Sequence, residues 1–142
     1  MLAQPHDKLS LLSEIEYQQI IVDWNKTDAV YPNDKAMHQL FEQQVAKTPD
    51  RIAVVYENES LTFQSLNEKA NQLARHIRQC YQDQGLSVTP DTMIPFCLER
   101  SVDVIIAVLG TLKAGAAYVP MDPNYPTDRI QHIFKDTASA LV

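Results

Sequence analysis

Histidine and cysteine side chains are the first candidates for metal binding or nucleophilic chemistry in this chain of 142 residues. Zinc sites are built from CxxC pairs and cysteine–histidine clusters, and this chain has no CxxC, no such cluster and no metal-ligand spacing among its histidines. Nucleophilic serine chemistry of the GxSxG type is also excluded, because that sequence is absent. We therefore expect no metal site and no catalytic residue among the histidines and cysteines, which are His6, His38, His76, His132, Cys80 and Cys97.

Carboxylates offer a second possible chemistry, general acid–base catalysis. Glu42, Glu57 and Glu59 could pair in principle, but carboxylates near a hairpin turn favour a solvated edge, where their pKa values do not suit acid–base work. Asp122 lies in the stretch Pro120–Pro126, which contains three prolines and has a stiff path. It could cap a turn or face a ligand, and the sequence favours the turn.

Phosphate binding would need a glycine-rich loop, and this chain cannot form one. Gly85, Gly110 and Gly115 are scattered. The formal net charge is −6 without a lysine or arginine stripe, which argues against nucleic-acid and anionic-membrane partners. The longest apolar run, Val104–Gly110, is too short to span a bilayer. With no secretory signal and no disulfide framework, the sequence predicts a cytoplasmic protein.

An N-terminal arm, residues 1–31, precedes the rest of the chain, residues 32–142. Ser13 and Glu16 have the spacing of a capping box that begins a helix. That helix carries an apolar stripe and should end near Asn25. The stripe either packs on the chain's own subdomain or forms an interface, and it consists of Ile20, Ile21 and Trp24.

An α/β fold is predicted for the rest of the chain. Residues 36–47 form a helix with Met37, Leu40, Phe41 and Val45 on one face, and a hairpin follows. Its strands are Ile52–Tyr56 and Leu61–Phe63, with a turn over residues 57–60. A long helix, capped by Thr62, then runs to Tyr81 with a buried stripe of Leu66, Ala70, Leu73, Ala74 and Ile77.

Strands and helices then alternate, as in a parallel sheet with crossover helices. The helix before Gly115 is apolar nearly all round and should be buried; Ser101 is its expected N-cap and Gly115 its C-terminal stop. A strand still apolar at residue 142 suggests the first part of a larger fold. The predicted order is strand 93–98, helix 101–113, strand 117–119, helix 127–135 and strand 138–142.

Two segments carry a resemblance to a known family. LKAGAAYVPMDPNYPTDRI, Leu112–Ile130, resembles the second core motif of adenylation domains from nonribosomal peptide synthetases, and LTFQSL, Leu61–Leu66, resembles the first. The arm is similar to the linker that joins an upstream condensation domain to an adenylation domain. The matching positions are chiefly structural in the family: Leu61, Thr62, Leu66, Lys113, Gly115, Tyr118, Pro120, Asp122, Pro123, Tyr125, Pro126 and Arg129.

The resemblance implies the beginning of the large N-terminal subdomain of an adenylate-forming enzyme. The complete domain would use ATP and Mg²⁺ to activate an amino acid. It would then load a phosphopantetheine thiol on a downstream carrier domain. The family's phosphate loop and catalytic lysine match no position here, so we expect no catalytic or cofactor-binding residue and no activity from the chain alone.

Two alternatives remain at this stage. The chain could be a stand-alone interaction or scaffold piece that binds other synthetase modules, or it could belong to an acyl-CoA ligase, which the linker-like arm argues against. Two positions also depart from the family. Ser65 replaces a common glutamate, which removes the reciprocal cap of Thr62, and Ala36 replaces a common threonine, so we expect Asp34 to cap that helix.

Overall fold

The computed structural model describes residues 12–141, which divide into two units between Asp34 and Lys35. The first unit contains helix α1, Glu14–Tyr17, which continues as a π-helix over Gln18–Asp23. The predicted capping box is confirmed: the Ser13 N–H donates to Glu16 Oε2 at 2.8 Å, and the Glu16 N–H donates to Ser13 Oγ at 3.3 Å.

The π-helix was not predicted. It changes the repeat from 3.6 residues per turn to a wider turn closed by i→i+5 bonds, such as the Trp24 N–H to the Gln19 carbonyl at 3.0 Å. The Asn25 side-chain amide donates to the carbonyls of Ile20 and Ile21 at 3.0 and 2.9 Å, and so satisfies acceptors at the end of the helix.

The second unit begins with helix α2, Met37–Lys47. The expectation that Asp34 caps this helix was wrong. Ala36 is the N-cap residue, and because alanine has no side-chain acceptor, only half of a capping box forms: the Gln39 side chain accepts from the Ala36 N–H at 2.9 Å.

The predicted apolar face of α2 is only partly inward. Val45 is buried and Phe41 is half-buried against the core, but Met37 and Leu40 are exposed. Helical periodicity identified the apolar stripe of α2. Which of its residues become buried depends on which turns of α2 contact α3 and α4.

The hairpin is confirmed, with shifted bounds. Strand β1, Ile52–Tyr56, pairs antiparallel with β2, Glu59–Thr62, so the turn occupies two residues instead of the predicted four. Glu57 has φ 50°, and this left-handed conformation allows so short a turn. Glu59 and Ser60, whose polar character predicted a turn, are therefore in the strand.

Helix α3, Phe63–Asp83, follows without a break. The Thr62 cap is confirmed, because Thr62 Oγ1 accepts from the Ser65 N–H at 3.1 Å, and the Thr62 hydroxyl lies 3.1 Å from Ser65 Oγ. The buried stripe is confirmed and extends one turn further than predicted, to Tyr81; it comprises Leu66, Ala70, Ala74, Ile77 and Tyr81, with Leu73 half-buried.

A strand–helix–strand unit completes the core. Strand β3, Met93–Cys97, is connected by helix α4, Val102–Ala114, to strand β4, Ala117–Met121, and β3 and β4 pair in parallel as predicted. The Ala117 N–H donates to the Thr92 carbonyl at 2.8 Å. Because backbone groups alternate sides along a strand, Pro95 and Pro120 both point their missing N–H away from the shared ladder.

The predicted cap residues of α4 are confirmed at both ends, but the expected hydrogen bond of the N-cap side chain is absent. Gly115 is the C-cap with φ 92°, a left-handed conformation that favours glycine. Ser101 is the N-cap residue, but its hydroxyl donates to the Glu99 carbonyl at 3.3 Å and makes no cap bond. The helix is also less enclosed than predicted, since Ile105 is 40% exposed.

Gly110 sets the approach of α3 to α4. A Cβ built at this position would lie 2.7–2.9 Å from three side-chain atoms of Leu73, so only glycine fits here without movement. The core has two clusters, one around Leu66, Ala70 and Leu109 and one around Ala74, Ile77, Tyr81, Ile94, Ala114 and Ala116.

The last helix, α5, spans Thr127–Thr137. The strand predicted over residues 138–142 is not found in residues 138–141, and Val142 lies outside the described residues. Ala140 and Leu141 instead pack on the core cluster, and the Ala140 N–H lies 3.4 Å from Tyr81 Oη. Apolar character therefore produced partial burial of Ala140 and Leu141 without strand pairing.

Residues 12–141 contain two separate two-stranded sheets, the predicted hairpin β1–β2 and the parallel pair β3–β4, and the predicted third strand of the parallel sheet is absent from residues 138–141. The same residues contain no helix both long enough and apolar enough to cross a membrane.

Candidate functional site

An open cleft of about 620 Å³ lies at the carboxyl ends of β3 and β4. In open α/β sheets, this end of parallel strands is where ligands are commonly bound. The cleft is bounded by the residues that follow β3, by the first turn of α4 and by the connector that follows β4. Its lining includes Tyr56, Glu99, Arg100, Val104, Asp122, Asn124 and Tyr125.

Asp122 makes the turn that the sequence favoured. Its Oδ1 accepts from the Asn124 N–H at 2.8 Å and from the Asn124 side-chain amide at 3.0 Å, and the Tyr125 N–H donates to the Asp122 carbonyl at 3.0 Å. The backbone N–H of Asn124 has the largest effect on the pKa of Asp122 and holds it below its ordinary value of 3.8. The side-chain amide of Asn124 and the charge of Arg100 act in the same direction. One oxygen of this carboxylate, Oδ1, therefore takes part in the turn.

The rest of the proline segment orients α5. Pro126 begins the helix by accepting from the N–H groups of Arg129 and Ile130 at 2.9 and 3.2 Å. The Arg129 guanidinium lies over the Tyr125 ring, 4.2 Å from its centroid, which is a cation–π contact. Four motif residues line the cleft: Pro120, Asp122, Pro123 and Tyr125. Arg129 is not in the lining, but its guanidinium contacts the ring of Tyr125.

The remaining motif residues lie elsewhere. Lys113 is on the last turn of α4, where its side chain is 4% exposed and forms an ion pair with Glu42, itself 47% exposed. The Arg78 guanidinium donates to the Lys113 carbonyl and, at 3.2 Å, to the Ala114 carbonyl. Arg78 therefore stabilises the carboxyl end of α4, where cations are favoured.

Sequence reasoning missed the Lys113–Glu42 and Arg78 contacts, because they join residues 35 or more positions apart. A lysine in the last turn of an otherwise apolar helix was the available signal, since buried lysines are almost always paired. Leu61, Thr62 and Leu66 lie at the junction of β2 with α3, and none of them lines the cleft.

The three glutamates considered for acid–base work are not brought together as a reactive set. Glu42 forms the ion pair with Lys113, whereas Glu57 and Glu59 are exposed at the hairpin. His76 approaches the Cys80 thiol, with 3.6 Å between Nε2 and Sγ, on an exposed part of α3. Within residues 12–141, no group of three histidine, cysteine, aspartate or glutamate residues could hold a metal ion.

ATP is not accommodated by the residues in the described structure. The phosphates of ATP require a cradle of backbone N–H groups, and the N–H groups of Gly85 and Gly115 already donate to the carbonyls of Gln82 and Leu112. Gly110, which lies in α4, packs against Leu73 of α3, and Gly115 ends α4. No step of an ATP-dependent reaction is therefore assigned to residues 12–141.

The predicted stripe of the arm is arranged differently from expectation. Trp24 shares a groove with Ile15, which precedes it by more than two turns; Ile20 is half-buried and Ile21 exposed, and neither lines the groove. The wider π-helical turn shifts the angular positions of residues 18–23 and so changes the face that sequence periodicity assigned.

Comparison with known proteins identifies the family. Residues 41–142 match the family described as AMP-binding enzyme. The chain belongs to the AMP-binding enzyme family. The second core motif, with its cleft and turn, and the Lys113–Glu42 pair all lie within the matched range.

Similar sequences occur in large peptide synthetases. The chain is 48% identical to gramicidin S synthase 2 of Brevibacillus brevis over 135 residues, covering 95% of this chain and 3% of that protein. It is 43% identical to bacitracin synthase 3 of Bacillus licheniformis, covering 98% of this chain and 2% of that protein. The predicted resemblance to adenylation domains of nonribosomal peptide synthetases is confirmed, for a chain that spans 2–3% of these relatives.

Solved structures show the same fold. Klebsiella oxytoca NpsA in complex with 3-hydroxyanthranilyl-AMSN matches with a TM-score of 0.61 and 27% identity, covering 74% of this chain and 20% of NpsA. The NpsA N-terminal subdomain alone matches with a TM-score of 0.60 and 27% identity, covering 74% of this chain and 26% of that one. The predicted α/β class, as the beginning of the N-terminal subdomain of an AMP-binding enzyme, is confirmed.

Proposed function

We propose that this chain forms the first part of an adenylation domain that, when complete, activates an amino acid with ATP. The match of residues 41–142 to AMP-binding enzymes carries this proposal. The carboxylate oxygen of the amino acid would attack the α-phosphorus of ATP, forming an aminoacyl adenylate and releasing pyrophosphate. The aminoacyl group would then pass to the phosphopantetheine thiol of a carrier domain, releasing AMP.

The contribution of this chain to that reaction is positional. The Asp122 turn and the Arg129–Tyr125 contact orient α5 after β4, whereas the Arg78 and Lys113 contacts join α4 to α3 and to α2. ATP and Mg²⁺ would be held by the remainder of the adenylation domain, so we propose that the chain alone is inactive.

The partners follow from the same assignment. We propose the remainder of the adenylation domain, an upstream condensation domain joined through residues 1–31, and a downstream carrier domain. An artificial fusion of NpsA with a carrier protein, which matches this chain with a TM-score of 0.60, supports the last of these. We also propose a cytoplasmic location, where ATP and reduced thiols are available; the described residues contain free Cys80 and Cys97.

A segment exchange tests the proposal. Residues 32–142 would replace the corresponding segment of an active adenylation domain of the same family, and amino-acid-dependent exchange of pyrophosphate into ATP would be measured. We expect the chimera to keep both activity and the host's amino-acid preference, because the pocket lies outside this chain. A folded chimera without exchange activity would contradict the proposal.

The 142-residue chain itself serves as the second arm of the experiment. It should show no exchange with any amino acid, and clear activity would contradict the assignment of ATP binding to other residues. A role as a separate interaction piece is the alternative, which an inactive but folded chimera would favour.

A further inference from the structure

A polar cavity of about 220 Å³ lies where helices α2, α3 and α4 meet. It shares no lining residue with the cleft at the carboxyl ends of β3 and β4. Pockets for drug-sized ligands are larger, about 300–1,000 Å³, so this cavity suits an ion or a single small polar group. Its polar lining includes His38, Glu42, Asn71, Arg75, Arg78 and Lys113.

The Lys113 ammonium contributes a buried positive charge to this cavity. The Lys113 side chain is 4% exposed, and within residues 12–141 its one hydrogen-bond partner is Glu42. An ammonium has three N–H donors, so two of them have no acceptor in this part of the chain. Buried donors without acceptors cost free energy, which an acceptor entering the cavity would recover.

Two arginines of α3 add donors to the same cavity. Arg78 donates through two of its five N–H groups to the carbonyls at the end of α4, which leaves three. Arg75 is exposed, and its side chain makes no hydrogen bond or ion pair with any other described residue. Guanidinium groups bind phosphate and carboxylate oxygens through paired N–H donors, so both arginines suit an oxyanion.

The charge of the lining also favours an anion. Three basic side chains and one acidic side chain, Glu42, give the lining a net charge of +2 in a chain of formal charge −6. The negative carboxyl end of α4 is already compensated, because its last carbonyls accept from Arg78. Glu42 competes with an incoming anion for the Lys113 ammonium, and so a doubly charged anion is favoured over a singly charged one.

We propose that this cavity binds one phosphate group through Arg75, Arg78 and Lys113. The four oxygens of phosphate point in tetrahedral directions and can accept from α3 and α4 together, whereas the two oxygens of a carboxylate lie in one plane. The donors are side chains, so no glycine-rich loop is needed, and the cavity is too small for ATP. The proposal does not rest on the adenylation assignment.

Equilibrium dialysis of the full chain against radiolabelled inorganic phosphate at low salt measures this binding directly. We expect saturable binding of one phosphate per chain. Arg75→Gln should weaken it about tenfold, the effect of losing one charge-assisted contact. Arg51→Gln is the matched control, because it removes the same charge from an exposed arginine outside the cavity, and should leave the affinity unchanged. Circular dichroism of both variants checks that they fold.

A third variant tests the sign of the effect. Glu42→Gln removes the acidic side chain of the lining at nearly constant size and frees the Lys113 ammonium for the ligand. It should therefore tighten phosphate binding about tenfold, since one repulsive charge is lost. A cavity that serves only the packing of the helices would show no such gain.

Four results would overturn the proposal. They are no saturable binding of phosphate, equal affinities of the Arg75→Gln and Arg51→Gln variants, a folded Glu42→Gln variant that binds no tighter, and equal displacement of phosphate by acetate. Displacement by O-phosphoserine would assign the site to a phosphate group on a larger molecule, and its absence to the free ion; both agree with the proposal. Pyrophosphate exchange by the chimera tests the adenylation assignment separately.

Discussion

Gly110 is the position where a single methyl group tests the packing of α3 against α4. The Cβ of alanine would lie 2.7, 2.9 and 2.9 Å from Leu73 Cδ2, Cβ and Cγ. Overpacking of this kind costs about 3 kcal/mol at the upper end of the usual range, and alanine regains about 1 kcal/mol of helix propensity. We therefore expect Gly110→Ala to lower the free energy of unfolding by about 2 kcal/mol.

A double-mutant cycle with Leu73→Ala isolates the contact. Removing Cγ and Cδ2 of Leu73 relieves two of the three close approaches, while Cβ remains at 2.9 Å. The double variant should therefore recover part of the loss, with a coupling of about 1 kcal/mol, within the range found for contacting residues. Unfolding in urea, followed by circular dichroism at the helix band, measures all four proteins.

Gly115→Ala is the matched control. No atom lies within 4 Å of a Cβ at this position, but φ is 92°, so alanine costs about 1–2 kcal/mol through backbone conformation alone. Leu73→Ala should not recover that loss. Equal recovery for both glycine variants, or a Gly110→Ala variant as stable as the unaltered chain, would refute the steric reasoning.

Three further perturbations have expected outcomes. Glu42→Ala should cost about 1–2 kcal/mol in urea unfolding, more than Lys113→Met, because it leaves the buried lysine unpaired; the reverse order would contradict the ion-pair assignment. Thr62→Ala should lower stability by about 1 kcal/mol, whereas Thr62→Ser should retain most of the cap, measured in the same assay. The carboxyl carbon of Asp122 should titrate by NMR with a pKa below 3.8; because its folded pKa is lowered, its stabilising effect is present above pH 3.8 and is lost as the pH falls through the folded value. Asn124→Ala removes the side-chain hydrogen bond and keeps the backbone one, so it should raise that midpoint part of the way towards 3.8; an unchanged midpoint would argue against the side-chain bond as a cause.

Local signals predicted most helix ends and strands correctly. Ser13 with Glu16, Thr62 and Gly115 each form a cap whose partners lie within four residues, so the sequence contains the whole interaction. The parallel pairing of β3 with β4 also followed from the alternation of strands and helices.

The predictions that failed depend on more distant or subtler factors. Ser101 occupies the expected cap position, but its hydroxyl had an alternative acceptor in Glu99. Residues 138–141 are apolar enough for a strand and are instead packed on the core cluster around Tyr81. The π-helix has no simple periodic signature, so the exposed face of the arm helix could not be predicted from the sequence. The Arg78 contacts join residues far apart in sequence, so the contacts at the carboxyl end of α4 could not be predicted either.

The two outward-facing prolines of the β3–β4 pair have a consequence for synthesis. Chains fold from their amino end while they are made, and an unpaired strand edge is then a template for aggregation. The relatives are many times longer than this chain, so in them the edges of such a pair would stay unpaired until later residues are synthesised. Pro95 on one edge and Pro120 on the other each lack the backbone N–H that an added strand would need. They therefore disfavour non-native strand pairing at both edges of the nascent sheet.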